Sequence, residues 1–146
     1  MSDLGRHEKA IASYDKAIAI KSDKHESWNN RGISLSDLEK HEEAIASYDK
    51  AIEIKPDDPD FWHNRGISLG DLGRHEEEIA SYEKAIEIKP DDPDLWSDRG
   101  IALSNLGRYE EALASYEKAL EINPESANTF FNIACCFALQ NKIEQS

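Results

Sequence analysis

Apolar residues recur along this chain at three- and four-residue intervals, and in no segment do they alternate with polar ones at the strand period. The pattern predicts helices and no strands. It is clearest from residue 58 onward. Trp62, Gly66 and Leu69 fall on one helical face, continued by Leu72 or Gly73, and Ile79, Tyr82, Ala85, Ile86 and Ile88 form a second stripe. Asp58-Pro59-Asp60 starts the first helix: an acceptor at the cap, a proline at the first position and an acid in the first turn. Gly73 supplies the left-handed residue that a chain reversal favours. Pro90 closes the second helix, because proline cannot continue its hydrogen-bond ladder.

The same text returns. Trp28–Pro56, Trp62–Pro90 and Trp96–Pro124 are copies 34 residues apart, and the first two agree at about three-quarters of their positions. Residues 1–22 match the back half of a copy and 128–146 the front half. The chain therefore divides into the second helix of an incomplete repeat (1–24), three full repeats (25–58, 59–92, 93–126) and the first helix of an incomplete last repeat (127–146). Met1 begins partway through a unit, as in a piece of a longer array. Eight helices are expected: a lone one over about 6–21, three hairpins, and a lone one over about 127–144. Asp92-Pro93 and Ser126 repeat the start signal, and Gly5 and Gly107 the stop. Before Trp28 the start signal shifts, and Asp23, with Glu26 three residues on, is the expected cap. Glu39 stands where the other units have glycine, at a cost of about 1 kcal/mol if the conformation is kept.

A unit of this length with Trp, Gly and Leu in its first helix and Tyr, Ala and Pro in its second resembles the tetratricopeptide repeat. The residues that carry the resemblance are Trp62, Gly66, Leu69, Gly73, Tyr82, Ala85 and Pro90, with Trp28, Gly32, Ala44, Tyr48, Ala51 and Pro56 before them and Trp96, Gly100, Ala112, Tyr116, Ala119 and Pro124 after. The wording of the units is similar to bacterial, especially cyanobacterial, members. The resemblance implies an all-α, right-handed α-solenoid of antiparallel helix hairpins. The glycines then mark close helix approaches, and the tryptophans supply large buried areas whose truncation should cost roughly 3–5 kcal/mol. Two departures stand out. Arg31, Arg65 and Arg99 precede the glycines where the family has leucine, which suits an arginine whose stem packs and whose head reaches an acid or water. Glu78 replaces the small residue found at Ala10, Ala44 and Ala112, and must reach water or pair, for example with an arginine.

Charge and reactive residues change this picture little. With 30 acidic and 17 basic residues the formal charge is −13, which disfavours nucleic acid and anionic membranes as partners. Cys135 and Cys136 give no disulfide framework and suit a reducing, cytoplasmic setting, as small apolar filler. No apolar run approaches the ~20 residues of a membrane span, and no signal segment opens the chain. His7, His41 and His75 recur once per unit with Tyr109 in the fourth slot. Residues a whole unit apart cannot share a metal ion, so these read as half-buried rings. No phosphate-cradling loop or nucleophile motif appears. The expectation is a chain without catalysis, metal or cofactor.

Binding has the stronger case. The resemblance implies a concave groove lined by the first helices, where family members hold peptides. Carried over, the lining is Glu26, Asn29, Ile33, Ser36 and Asp37; Asp60, His63, Ile67, Gly70 and Asp71; Asp94, Ser97, Ile101, Ser104 and Asn105; and, from the last helix, Asn128, Phe131, Cys135, Ala138 and Leu139. The family's cationic clamp for carboxylate termini is missing. Its lysine positions hold Asn29, His63 or acids, and isoleucine replaces its asparagine. A partner segment with apolar anchors and Lys/Arg flanks would complement this surface. The alternative is a structural module. The last helix is apolar around much of its circumference, through Phe130, Phe131, Phe137 and Leu139, and two copies joined there head to tail would build rings or filaments.

Overall fold

The computed structural model describes residues 3–146, so Met1 and Ser2 of the opening half-repeat lie outside it. Eight helices make up the described residues: α1 (Asp3–Ile20), α2 (His25–Asp37), α3 (His41–Ile54), α4 (Pro59–Asp71), α5 (His75–Ile88), α6 (Pro93–Asn105), α7 (Tyr109–Ile122) and α8 (Ala127–Glu144). There are no strands among them. Two compact units result, the first running through Arg74 and the second from His75 to Ser146. In the first, α2 packs against both α1 and α3, α3 against α4, and the first helices α2 and α4 also touch. The second repeats this arrangement: α6 sits against α5 and α7, α7 against α8, and α6 touches α8.

The helix ends follow the local chemistry. Asp58 accepts the amide of Asp60 at 3.2 Å, Asp92 that of Asp94 at 3.1 Å, and Ser126 Oγ that of Thr129 at 3.3 Å. α2 differs from expectation. Its cap is Lys24, in extended backbone with no side-chain hydrogen bond, and Asp23 stays outside. At the reversals the amide two residues past the cap reaches back five residues: Lys40 to the Leu35 carbonyl, Arg74 to Leu69, Arg108 to Leu103, each at 2.9 Å. That closure puts the residue before it in left-handed backbone, with φ of 72° at Gly73, 74° at Gly107 and 58° at Glu39. Gly5 is no stop: α1 runs straight through it from Asp3.

The α2–α3 and α6–α7 hairpins each close on one contact. A Cβ at Gly32 would lie 2.5 Å from Tyr48 Cε1, and one at Gly100 would lie 2.5 Å from Tyr116 Cε1. Both tyrosines are almost wholly buried, beside Ala44 and Ala51 in one hairpin and Ala112 and Ala119 in the other. Phe61 and Leu95, which the periodic stripe overlooked, are core residues as well. The tryptophans bury less than expected. All three are half-buried, and their indole Nε1 groups donate to the carbonyls of Ser22, Pro56 and Pro90 at 2.9–3.0 Å, tying down the loop before each first helix. The second-helix stripe also ends early, since Ile54, Ile88 and Ile122 are exposed.

The arginines tie three helices together. Arg31 Nε donates to Asp15 of α1 and its Nη1 to the buried Ser47 hydroxyl of α3, each at 2.7 Å. Arg99 makes the same pair of contacts, to Glu83 of α5 and Ser115 of α7, and Arg65 Nε donates to Asp49 of α3 at 2.7 Å.

Two substitutions test this reading. Gly100→Ala should lower stability by about 1–3 kcal/mol, since three ring atoms of a buried tyrosine must move to admit the methyl group. Glu39→Gly should raise it by about 1 kcal/mol by relieving left-handed backbone. Denaturant midpoints for both variants, each with an unchanged m-value, would show it.

Candidate partner-binding faces

The second helices cover one side of each first helix, and the opposite side is left to solvent. In the first unit this face belongs to α2 and α4. Ile33 and Ile67 are 39% and 41% exposed, although the residues after them, Ser34 and Ser68, are buried. Between them lies a depression of about 160 Å³ lined by Ile33, Ser36, Asp37, Tyr48, Asn64 and Ile67. Its polar groups are organised. Asn64 Nδ2 donates to Asn29 Oδ1 at 3.1 Å, and the hydroxyls of Ser36 and Ser68 lie 3.3 Å apart. Burial pushes the Tyr48 phenol well above its ordinary range, with Asp37 nearby adding to the shift, so this wall presents a neutral hydroxyl.

The second unit builds its face from α6 and α8. Ile101 is 39% exposed and Phe131 68%. A depression of about 330 Å³ is lined by Asp94, Ser97, Asp98, Ile101, Ser126, Asn128, Thr129, Phe131 and Asn132. Ser97 and Thr129 share a hydrogen bond at 3.1 Å on its floor, and Thr129 Oγ1 donates to Ser126 at 2.9 Å. A smaller hollow beside it holds Ser104, Asn105, Cys135 and Leu139.

The expected lining residues sit on these faces with their own partners. Asp37 and Asp71 are held 3.5 Å from Nδ1 of His7 and His41 on the preceding second helices. Glu26 lies 3.5 Å from His25 Nε2, and Asp60 and Asp94 are exposed in the first turns of α4 and α6. His63 and Ser97 are half-buried, and Asn105 is exposed. Reasoning from the repeat missed Asn64, Asp98 and Asn132, a column one residue beyond the expected positions. The four apolar residues of α8 separate. Phe131 and Leu139 belong to this face, whereas Phe130 and Phe137 occupy the positions of Trp96 and Leu103 in α6 and are half exposed.

The reactive residues also separate. Cys136 is buried against α7, where burial pushes its thiol up, and Sγ lies 3.6 Å from the Tyr109 carbonyl. Cys135 is not core filler: it is exposed and lines the smaller hollow beside α6. Glu78 is buried, and its partner is His75, with Nδ1 2.7 Å from Oε2, rather than an arginine. Among the described residues no three His, Cys, Asp or Glu side chains group as a metal site, and no helix is long and apolar enough to cross a membrane.

A tetratricopeptide repeat profile matches residues 93–126, and a second TPR profile matches 3–38, 34–73 and 68–107. The chain belongs to the tetratricopeptide repeat family. No curated protein matches it significantly in sequence. Among solved structures, MamA superposes with a TM-score of 0.88 at 18% identity, over 97% of this chain and 86% of that one. YrrB, described as a TPR protein with an unusual peptide-binding site, superposes at 0.81 with 25% identity, over 94% and 71%. The first TPR of Spaghetti (RPAP3), bound to the HSP90 peptide SRMEEVD, superposes at 0.76 with 23% identity, over 81% and 94%. Against these TPR relatives, an all-α helical repeat describes this chain along nearly its whole length.

Within this TPR chain, Glu78 is the one second-helix residue that buries a carboxylate where Ala44 and Ala112 bury a methyl group. Glu78→Ala should stabilise the chain by about 1 kcal/mol, since His75 is half-buried and retains access to water once its partner is gone. Thermal unfolding should show a midpoint higher by roughly 2–4 °C. An unchanged or lower midpoint would mean that the His75 contact outweighs the burial of the carboxylate.

Proposed function

We propose that the chain is a non-catalytic scaffold that binds a protein segment along the exposed faces of its first helices. One observation carries this. Ile33, Ile67 and Ile101 occupy the same position in three repeats, and each stays about 40% exposed on a helix whose other large apolar residues are mostly buried. Around them stand Asp37, Asp60, Asp71 and Asp94. Such a surface fits a segment with apolar anchors and Lys/Arg flanks, and a total charge of −13 favours its approach. The peptide-bound Spaghetti repeat supports the mode of use, with the sign of the partner reversed. The Spaghetti peptide ends Glu-Glu-Val-Asp, whereas the faces here carry the acids themselves. Nucleic acid and membranes are outside this reading, which places the chain in the cytoplasm, where the exposed Cys135 thiol stays reduced.

Self-assembly through α8 is a second reading, favoured by the half-exposed Phe130 and Phe137. It meets a steric obstacle. Ala134 stands at the position of Gly100, where a methyl group would crowd the tyrosine of an incoming second helix. α1, which carries Tyr14 at that point, does not seat there in the register of the repeat.

Segments selected against the full chain from a random peptide display library supply a probe. Ile67→Arg should weaken the selected segments at least tenfold, about 1.4 kcal/mol, without loss of helical signal. Segments indifferent to Ile67→Arg and to Ile101→Arg would overturn the groove reading. A mass by light scattering that rises with concentration, and falls back in Phe137→Glu, would instead favour assembly.

A further inference from the structure

Charge opposes contact between copies of this chain, since each carries −13. α8 is where that obstacle is smallest. Only Lys142 and Glu144 are charged in it, whereas each other helix carries at least three charged side chains. Its apolar residues are also the most open. Thr129 and Cys136 turn into the chain, and Ile133 packs on the core of the second unit. The adjoining face presents Phe130 at 53% exposure, Phe137 at 51%, and the exposed Ala134 between them. Steps of four and three residues place all three in one stripe along the helix.

A lysine near one end of α8 and a glutamate just before the other have no side-chain partner among the described residues. Elsewhere a lysine meets an acid three residues on: Lys50 with Glu53 at 3.1 Å, Lys84 with Glu87 and Lys118 with Glu121 at 3.0 Å. Lys142 has Gln145 at that spacing. Glu125 precedes the Ser126 cap, and both it and Lys142 are exposed.

We infer that two copies of this chain pair through α8 as an antiparallel two-fold dimer, with Phe130 of each against Phe137 of the other and Lys142 against Glu125. One register meets every requirement. An antiparallel copy laid with Phe130 level with Phe137 brings Lys142 level with Glu125 and puts Ala134 of both copies beside the two-fold axis. Ala134 crowds out the tyrosine of an incoming second helix, but it suits a helix whose own central residue is alanine, and α8 is such a helix. The antiparallel arrangement also sets the N-terminus of each α8 beside the C-terminus of the other, where their dipoles attract. Each copy contributes the same patch, so the contact closes at two. This gives the assembly reading a closed form in place of the head-to-tail one. It leaves the first-helix faces free, because Phe131 and Leu139 lie off the stripe.

The test is light scattering on the full chain. One helix against one helix buries less than the ~1,200 Å² of standard interfaces, so the concentration series runs to roughly 1 mM. The mass should rise to twice that of the chain and stop there. Phe137→Glu, and Ala134→Glu at an exposed position, should each hold it at one chain with helical content unchanged. Lys142→Glu and Glu125→Lys should each move the midpoint at least threefold higher in concentration, the second despite lowering the net charge. The double variant restores opposite charges and should bring the midpoint back. A wild-type mass that stays at one chain, one that climbs past two without levelling, or a double variant no better than the single ones would overturn the inference. The groove reading is scored separately. Display-selected segments that bind the wild-type chain and Ala134→Glu alike, and are lost in Ile67→Arg, keep the groove whether or not the dimer forms.

Discussion

Each unit depends on a tyrosine ring lying on a glycine. Tyr48 rests on Gly32 and Tyr116 on Gly100 so closely that not even a methyl group fits between. From that contact the rest follows by geometry. The first and second helices are held at backbone distance, small residues such as Ala44 and Ala112 fill the seam, and one side of each first helix is consumed. The other side has no partner inside the hairpin. That is where Ile33, Ile67 and Ile101 stand exposed. The packed seam and the proposed binding surface thus occupy opposite faces of the same helices.

Polar contacts set how hairpins join their neighbours. Arg31 and Arg99 each reach the second helices on both sides, and donate to buried serine hydroxyls. His7 and His41 reach the aspartates at the ends of the next first helices. The third histidine breaks the pattern. Asn105 replaces the aspartate, and His75 turns instead to Glu78 in its own helix. Within one repeated text, a single acid moved into the core redirects the side chain that elsewhere bridges repeats.

Much of this was legible in the residues. The periodicity, the Asp-Pro starts and the glycine reversals located all eight helices of the described chain, and Glu39 was recognised as a non-glycine residue in a glycine conformation. What escaped depends on neighbours outside the repeat's own text. Gly5 looks like Gly73, but helical backbone runs through it in α1. Trp96 looks like core, but its rim stays open and its indole serves a loop carbonyl, while Leu95 beside it is buried. The partner of Glu78 is a rotamer choice between an arginine and a histidine, which spacing alone does not decide. The Asn64, Asp98 and Asn132 column escaped because a 100° step per residue puts it at the rim of the carried-over face.

The central claim is that partners meet the first helices and not the second. Photo-crosslinking tests it most directly, with a crosslinkable residue placed in turn at Ile67, Ile101, Ala46 and Ala114. The last two are exposed positions on the second helices α3 and α7. Against one display-selected segment, the account predicts crosslinks from positions 67 and 101 and none above background from 46 and 114. Equal or greater yield from the second helices would contradict it.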